Sequence, residues 1–144
     1  IGYNYRMSNI LAGIGRGQME VLEDRVKARR DNYKFYKHHL DKVKGISFLE
    51  EPKGFYSNRW LTCILTKSFE DRENIRCDLE KENIESRPLW KPMHLQPIFK
   101  GNPSYLNGVS EELFEKGLCL PSGSNLEDED RKRILKAILT SINK

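Results

Sequence analysis

Long apolar runs are missing from this chain of 144 residues; the longest are a few residues, far short of the ~20 that a bilayer span needs. No basic–apolar–small leader pattern opens it either. These absences point to a cytoplasmic protein without membrane insertion. Cysteine is scarce: Cys63, Cys77 and Cys119 are an odd count, far apart, with no C-x-x-C pair. A disulfide framework and a zinc site both lose support, and a reducing compartment fits better. Cys63 and Cys119 sit in apolar runs and read as small core residues. A large excess of one charge is absent too, since 25 Lys and Arg stand against 21 Asp and Glu, a net +4. Lys27, Arg29, Arg30, Lys34 and Lys37 make one helix basic, but Glu20, Glu23, Asp24 and Asp31 share it. That favours anions weakly and is no nucleic-acid footprint.

Catalytic signatures are also lacking. There is no HExxH, GxSxG or P-loop, and no paired His/Cys spacing for a metal. Gly13, Gly15 and Gly17 have neither the preceding strand nor the spacing of a phosphate cradle. They read as room for close packing of another helix or subunit, at a propensity cost of up to ~1 kcal/mol each. The residues thus show no complete active site, so any activity depends on groups outside the chain. Its start at Ile1, without a methionine and inside a motif, reads as a piece of something longer.

What is present is an alternation of helical and strand patterns. A turn-like start (Gly2, Asn4) leads into helical sequence that Ser8 or Asn9 caps. From Gln18 to Val43, the residues Met19, Leu22, Val26, Tyr33, Tyr36, Leu40 and Val43 form one apolar stripe, with Arg29 the polar residue in register. That spacing predicts a single helix of about seven turns, closed by Gly45. His38 and His39, near its end, point in different directions and imply no metal. Short strands are expected at Ile46–Leu49 and Trp60–Thr66, the second richer in β-formers. A helix capped by Ser68 is expected over Glu70–Glu82, then a third strand at Ile84–Leu89. Ser110 caps a short helix closed by Gly117, and Leu118–Pro121 reads as a brief buried strand. Ser124 and Glu127 fit a capping box for the last helix, with Ile134, Leu135, Ile138, Leu139 and Ile142 on its core face. The sum is an α/β unit, a long N-terminal helix plus a small mixed sheet with helices packed against it. The strand–helix–strand from Trp60 to Leu89 supports a split βαβ arrangement, its helix long enough for a parallel pairing.

The segment Arg87-Pro-Leu-Trp-Lys-Pro-Met-His-Leu-Gln-Pro-Ile-Phe99 stands apart. Pro88, Pro92 and Pro97 bar a helix or a central strand. Trp90, Met93 and Phe99 are foreign to a solvated linker. Two readings stay open on composition: a rigid connector pinned by Trp90 and Phe99, or a stiff loop whose cations and imidazole grip an anionic small molecule.

Four ordered motifs resemble one family. Gly2-Tyr-Asn-Tyr-Arg-Met-Ser-Asn-Ile10 with Arg29-Arg30, Asn58-Arg-Trp-Leu-Thr-Cys63, the proline-rich segment, and Leu113-Phe-Glu-Lys-Gly-Leu-Cys-Leu-Pro-Ser-Gly123 are similar to the C-terminal part of the DegT/DnrJ/EryC1/StrS sugar aminotransferases. Within it they look most like the branch acting on UDP-linked 4-keto-6-deoxy amino sugars. The resemblance implies the aspartate-aminotransferase fold, with residues 1–144 as its small C-terminal domain, and pyridoxal 5′-phosphate (PLP) as cofactor. It implies glutamate and a nucleotide sugar as substrates, and a homodimer. The lysine that holds the cofactor covalently belongs to an upstream domain and has no matching motif here, so no catalytic residue is assigned and the chain alone should be inert. By the resemblance, Asn4 reaches across the dimer to the cofactor phosphate, and Arg6 either contacts substrate or fixes the loop at that boundary. Trp90, Lys91 and His94 close over the nucleotide sugar: Trp90 on sugar or base, Lys91 on the diphosphate, His94 near the reacting carbon. Arg87 is read as a structural ion pair, and Arg59 and Trp60 as strand packing. The competing reading is a non-catalytic sugar-nucleotide-binding or dimerisation module.

Overall fold

The computed structural model describes residues 3–142, so Gly2 of the first motif lies outside the described residues. The chain runs through α1 (Asn9–Glu20), α2 (Leu22–Leu40), β1 (Ser47–Phe48), β2 (Thr62–Leu65), α3 (Phe69–Lys81), β3 (Arg87–Pro88), single-turn 3₁₀ helices at Met93–Leu95 and Pro97–Phe99, α4 (Val109–Lys116), β4 (Gly117–Leu120) and α5 (Asp128–Ile142). No helix among the described residues is long and apolar enough to cross a membrane.

The expected single long helix is two. The break falls at Val21 (φ −113°, ψ 9°), whose N–H turns back to the carbonyls of Gln18 and Met19. The apolar stripe divides at the same place. Tyr33, Tyr36 and Leu40 are buried, whereas Met19 and Leu22 remain 67% and 40% exposed. A stripe is buried only where it meets another apolar surface, and α1 holds no buried residue. Nothing lies within 4 Å of where a Cβ would stand on Gly13, Gly15 or Gly17. The close packing expected of them is therefore not made within the described residues. Gly45 also sits later than expected, at φ 98°, beyond a turn in which Val43 N–H bonds to Leu40 O.

Two caps fall where the sequence places them. Ser8 Oγ accepts from Leu11 N–H at 3.3 Å and Ser68 Oγ from Asp71 N–H at 3.1 Å. Ser110 and Ser124 do not cap. The residue before α4 is Gly108, left-handed at φ 79°, and Asn107 Oδ1 takes the Val109 N–H at 3.2 Å. At α5 the carboxylate of Asp130 accepts from Glu127 N–H at 3.0 Å. A charged acceptor next to the helix N-terminus does there what a hydroxyl was expected to do.

The sheet has the order β1-β2-β4-β3 and every pairing is antiparallel, which corrects the mixed sheet. β2–α3–β3 is a split βαβ unit: its strands point the same way, but β4 lies between them, so no parallel ladder forms. Side chains alternate across a strand. Thr62, Ile64, Leu118 and Leu120 thus share one face, in register as Thr62↔Leu120 and Ile64↔Leu118. That face meets Tyr36 and Leu40 of α2, Ile75 and Leu79 of α3, and Ile134, Leu135 and Ile138 of α5.

The polar residues of α2 hold the strand ends. Tyr36 Oη, its phenol pushed above the usual range by burial, donates to Pro121 O at 3.0 Å. Asn32 Nδ2 donates to Gly123 O at 2.8 Å, and Arg29 reaches Trp60 O at 2.5 Å and Ser122 O at 3.2 Å. Arg29 is thereby explained as the one polar member of the stripe. Arg30 forks onto both Glu51 oxygens at 3.1 Å, and Glu51 also accepts from Ser57 N–H. The Arg59 guanidinium lies 3.7 Å over the Tyr33 ring. These contacts fasten the excursion between β1 and β2 to the helix layer. At the far end α4 passes into β4 without a loop. A Cβ on Gly117 would meet Leu89 Cδ1 at 2.2 Å and Leu113 O at 2.4 Å, so only glycine fits.

Two predictions follow from these contacts. Gly117→Ala should destabilise the fold by about 1–3 kcal/mol, the usual range for overpacking, read as a lower midpoint in urea. The fork from Arg30, then the Ser57 N–H, hold the Glu51 carboxyl at about 2, below its ordinary 4.5. A depressed carboxyl contributes stability above its unfolded pKa and loses it as pH falls through the folded one. The drop in stability from pH 5 towards pH 2 should therefore be shallower in Glu51→Gln, measured by urea titration across that window.

Candidate functional site: an open cleft on the bare face of the sheet

The helices cover one face of the sheet and leave part of the other bare. A cleft of about 520 Å³ opens there, lined by Trp60, Leu61, the stretch from Glu85 to Trp90, Cys119 and Leu120. The ladder makes this wall. β3 pairs with β4 through Arg87↔Cys119 and Pro88↔Leu118, and Pro88 is tolerated because β3 is an edge strand. Trp60 and Trp90, the two tryptophans of the chain, stand with ring centroids 6.1 Å apart at 35°. They are 60% and 66% exposed. Two neighbouring indoles left in solvent mark a contact surface for a planar or apolar group.

Trp60 therefore does not pack within a strand, as the sequence suggested, because β2 begins only at Thr62. Arg59 also precedes β2 and so does not pack from a strand either; it packs from the preceding loop, lying on Tyr33 and donating to Leu49 O at 3.1 Å. Arg87 fits its structural reading, with Nε donating to Glu85 Oε1 at 2.7 Å, although both side chains are exposed and such a pair stabilises little.

The proline-rich segment folds into its two 3₁₀ turns with Gln96 Nε2 donating to Lys91 O at 3.3 Å. The Lys91 side chain is exposed and has no ion-pair partner among the described residues. His94 is different. Its Nε2 lies 2.6 Å from Glu111 Oε1, with side chains 17% and 37% exposed. A hydrogen bond to a carboxylate needs the proton on Nε2, which leaves Nδ1 of a neutral ring as an acceptor. Glu111 was missed by sequence reasoning. An acidic residue in the first turn of a helix reads as dipole matching, and nothing in sequence links it to a histidine 17 residues away.

Asn4 and Arg6 are not brought to this cleft. Every residue from Tyr3 to Arg25 is exposed. Asn4 Oδ1 accepts from Arg6 N–H at 3.0 Å, forming a local turn. The Nδ2 donors and the Arg6 guanidinium have no partner among the described residues. Such a pair of free donors on a projecting arm fits an anionic group supplied from outside the domain, including a phosphate. Among the described residues no three of His, Cys, Asp and Glu converge on a metal-sized site.

The profile of the DegT/DnrJ/EryC1/StrS aminotransferase family matches residues 1–139. EpsN of Bacillus subtilis (strain 168), named as a pyridoxal phosphate-dependent aminotransferase, is 44% identical over 96% of this chain and 37% of its own length. The GDP-perosamine synthase of Escherichia coli O157:H7 is 33% identical, again over 96% of this chain and 37% of its own length. A DegT DnrJ EryC1 StrS aminotransferase from Brucella abortus superposes over 100% of this chain and 38% of its own, with TM-score 0.85 and 30% identity. DesV of S. venezuelae, crystallised with a ketimine intermediate, shares the fold at TM-score 0.89 and 22% identity, over 99% of this chain and 38% of its own. The chain thus spans little more than a third of the proteins it matches. With the motif order, the split βαβ unit and the profile in agreement, the chain belongs to the DegT/DnrJ/EryC1/StrS aminotransferase family.

Proposed function

We propose that this chain is the small C-terminal domain of a PLP-dependent aminotransferase that moves an amino group from glutamate to a nucleotide-linked 4-keto-6-deoxy sugar, UDP-linked in the first instance, in the biosynthesis of cell-surface polysaccharide or glycan. The observation that carries this reading is the bare face of the sheet. It carries an exposed indole pair, and the loop that leaves it after Trp90 carries a pinned imidazole and, in Lys91, a cation with no ion-pair partner among the described residues, yet the face offers no reactive set of its own. Surfaces of this kind bind and orient; they do not perform chemistry.

PLP, when bound, acts as the electron sink that lets an amino group pass from donor to keto carbon. The chain's own residues do the holding. Trp90, with Trp60 beside it, packs against the sugar or base, and Lys91 pairs with the diphosphate. Glu111 fixes the His94 ring so that Nδ1 accepts from a sugar hydroxyl near the reacting carbon. Asn4 donates its amide N–H to the cofactor phosphate of the other subunit in a homodimer, with Arg6 at the same boundary. The covalent lysine lies upstream, outside this chain, so the chain by itself is inert.

The deciding experiment uses the protein with its upstream sequence, PLP, glutamate and a panel of 4-keto-6-deoxy sugars linked to UDP, dTDP or GDP. GDP is included because relatives are named GDP-perosamine synthases. Formation of an amino sugar with stoichiometric 2-oxoglutarate is expected from the longer protein and none from the 144-residue chain. No transfer to any sugar, or turnover by the chain alone, would refute the reading. In the longer protein, Asn4→Ala should remove one charge-assisted bond of about 1.5–3 kcal/mol, weakening PLP retention in dialysis roughly ten- to hundredfold. His94→Ala should leave single-turnover release of 2-oxoglutarate from glutamate unchanged and slow transfer to the sugar; equal slowing of both half-reactions would remove His94 from the sugar side.

A further inference from the structure

Cys63 and Cys119 face each other across the β2–β4 ladder, with Sγ atoms 3.7 Å apart. The parity of the ladder settles what kind of pair they form. Thr66 N–H bonds to Lys116 O at 2.9 Å, so by alternation 66/116 and 64/118 are hydrogen-bonded pairs of this register, while at the ladder's end Ser122 Oγ bridges Thr62 N–H and Leu120 O. Cys63/Cys119, one step beyond 64/118, is a non-hydrogen-bonded pair. Cα atoms in such pairs are ~4.5 Å apart with side chains close, within the 4.4–6.8 Å that a disulfide spans. Both thiols are free. They lie on the sheet face opposite the helices; Cys63 is half-buried and Cys119 buried, and Cys119 lines the same cleft as Trp60 and Trp90. Small core residues need no such alignment, since either position alone would fill its space.

From this juxtaposition we infer that Cys63 and Cys119 form an oxidisable dithiol, a modification site in the cleft wall that a low-molecular-weight disulfide converts reversibly into a cross-strand disulfide. The thiol that ionises first attacks one sulfur of the oxidant, forming a mixed disulfide and expelling one small thiolate. The second protein thiol gives up its proton and attacks the protein sulfur of that mixed disulfide, expelling the other small thiolate. The new Cys63–Cys119 bond replaces two S–H bonds, and the oxidant leaves as two thiols, so electrons and protons balance. Hydrogen bonding by Cys63 lowers the Cys119 thiol, and the same bond, with burial, raises Cys63. The first thiolate of the pair therefore falls on Cys119, with the Cys63 S–H donating to it. Cys77 lies apart on α3, 3.3 Å from Arg76 Nη2, and serves as an internal reference. The inference stands on the ladder alone and does not depend on the sugar reading.

The two tryptophans of the chain make the test direct, because a disulfide quenches a neighbouring indole. The intact chain is incubated with oxidised glutathione in native buffer. Two of the three thiols should disappear from a thiol titration, a peptide carrying Cys63 should be found linked to one carrying Cys119, and indole emission should fall and recover with dithiothreitol. Cys63→Ala and Cys119→Ala should each abolish the recoverable quench, while Cys77→Ala retains it. Circular dichroism checks that the variants fold, and the peptide map of the unsubstituted chain decides if they do not. Loss of all three thiols at one rate, a stable glutathione adduct with no internal link, or a link formed only in denaturant would each overturn the inference.

Discussion

The antiparallel ladder between β2 and β4 is the constraint from which the positions of the other groups follow. On its helix side Ile64 and Leu118 are fully buried, and fully burying a side chain of that size is worth roughly 1.5–3 kcal/mol. On its other side it sets Cys119 in the cleft wall and, through β3, brings Arg87 and Leu89 alongside. One end of the ladder, where Thr62 faces Leu120, is tied to α2, by Arg29 to the carbonyls of Trp60 and Ser122 and by Tyr36 to that of Pro121. Trp60 is placed by the first tie. Glu111 is placed by Gly117, which lets α4 run straight into β4 at a separation that no side chain would permit. The indole pair and the His94–Glu111 bond thus depend on packing made several residues away.

Much of this was legible in the sequence, for a physical reason that differs by element. α3 and α5 carry periodic apolar faces and flanking acids, so their existence followed from pattern. Ser68 capped as read because its N3 partner is purely local. Ser124 failed because Asp130, also local, is a charged competitor for the same helix end. The continuous helix failed for a non-local reason. Its stripe persists through Met19 and Leu22, but the core ends before them, and periodicity says nothing of how far a partner surface extends. The mixed sheet failed similarly, since strand spacing cannot show that β4 inserts between β2 and β3.

The candidate site was legible in unequal parts. Trp90, Lys91 and His94 were visible because a proline-rich segment with buried-type residues conflicts with a solvated linker. Trp60 was misread because a β-forming run follows it and hides the start of β2 one residue beyond Leu61. Glu111 carried no local signal. The pairing of Cys63 with Cys119 requires the register of two strands 56 residues apart, and composition had suggested only two small core residues. For Glu111 and for the cysteine pair the determining fact was a contact between residues far apart in sequence, which a one-dimensional pattern does not encode.

The arm from Tyr3 to Leu22 bears on how the proposed roles divide. It exposes Tyr3, Tyr5, Met7, Ile10, Leu11, Ile14 and Met19, each by more than half, while the glycines beside them have open space. A helix of 12 residues carrying three glycines is marginal in water, where helices shorter than ~12–15 residues barely hold without packing. Its cap at Ser8 supplies one bond and cannot supply a docking surface. Under the proposed reading, then, Asn4 and Arg6 acquire fixed positions only when that apolar face is covered, whereas the cleft with Trp60 and Trp90 is already formed. The two halves of the site differ in kind. On that reading the wall with Trp60 and Trp90 is built by this domain's own ladder, whereas Asn4 and Arg6 would be ordered by assembly. Affinity for a planar ligand at the indole pair should therefore be separable from cofactor retention at Asn4, because no contact on the described surface couples them.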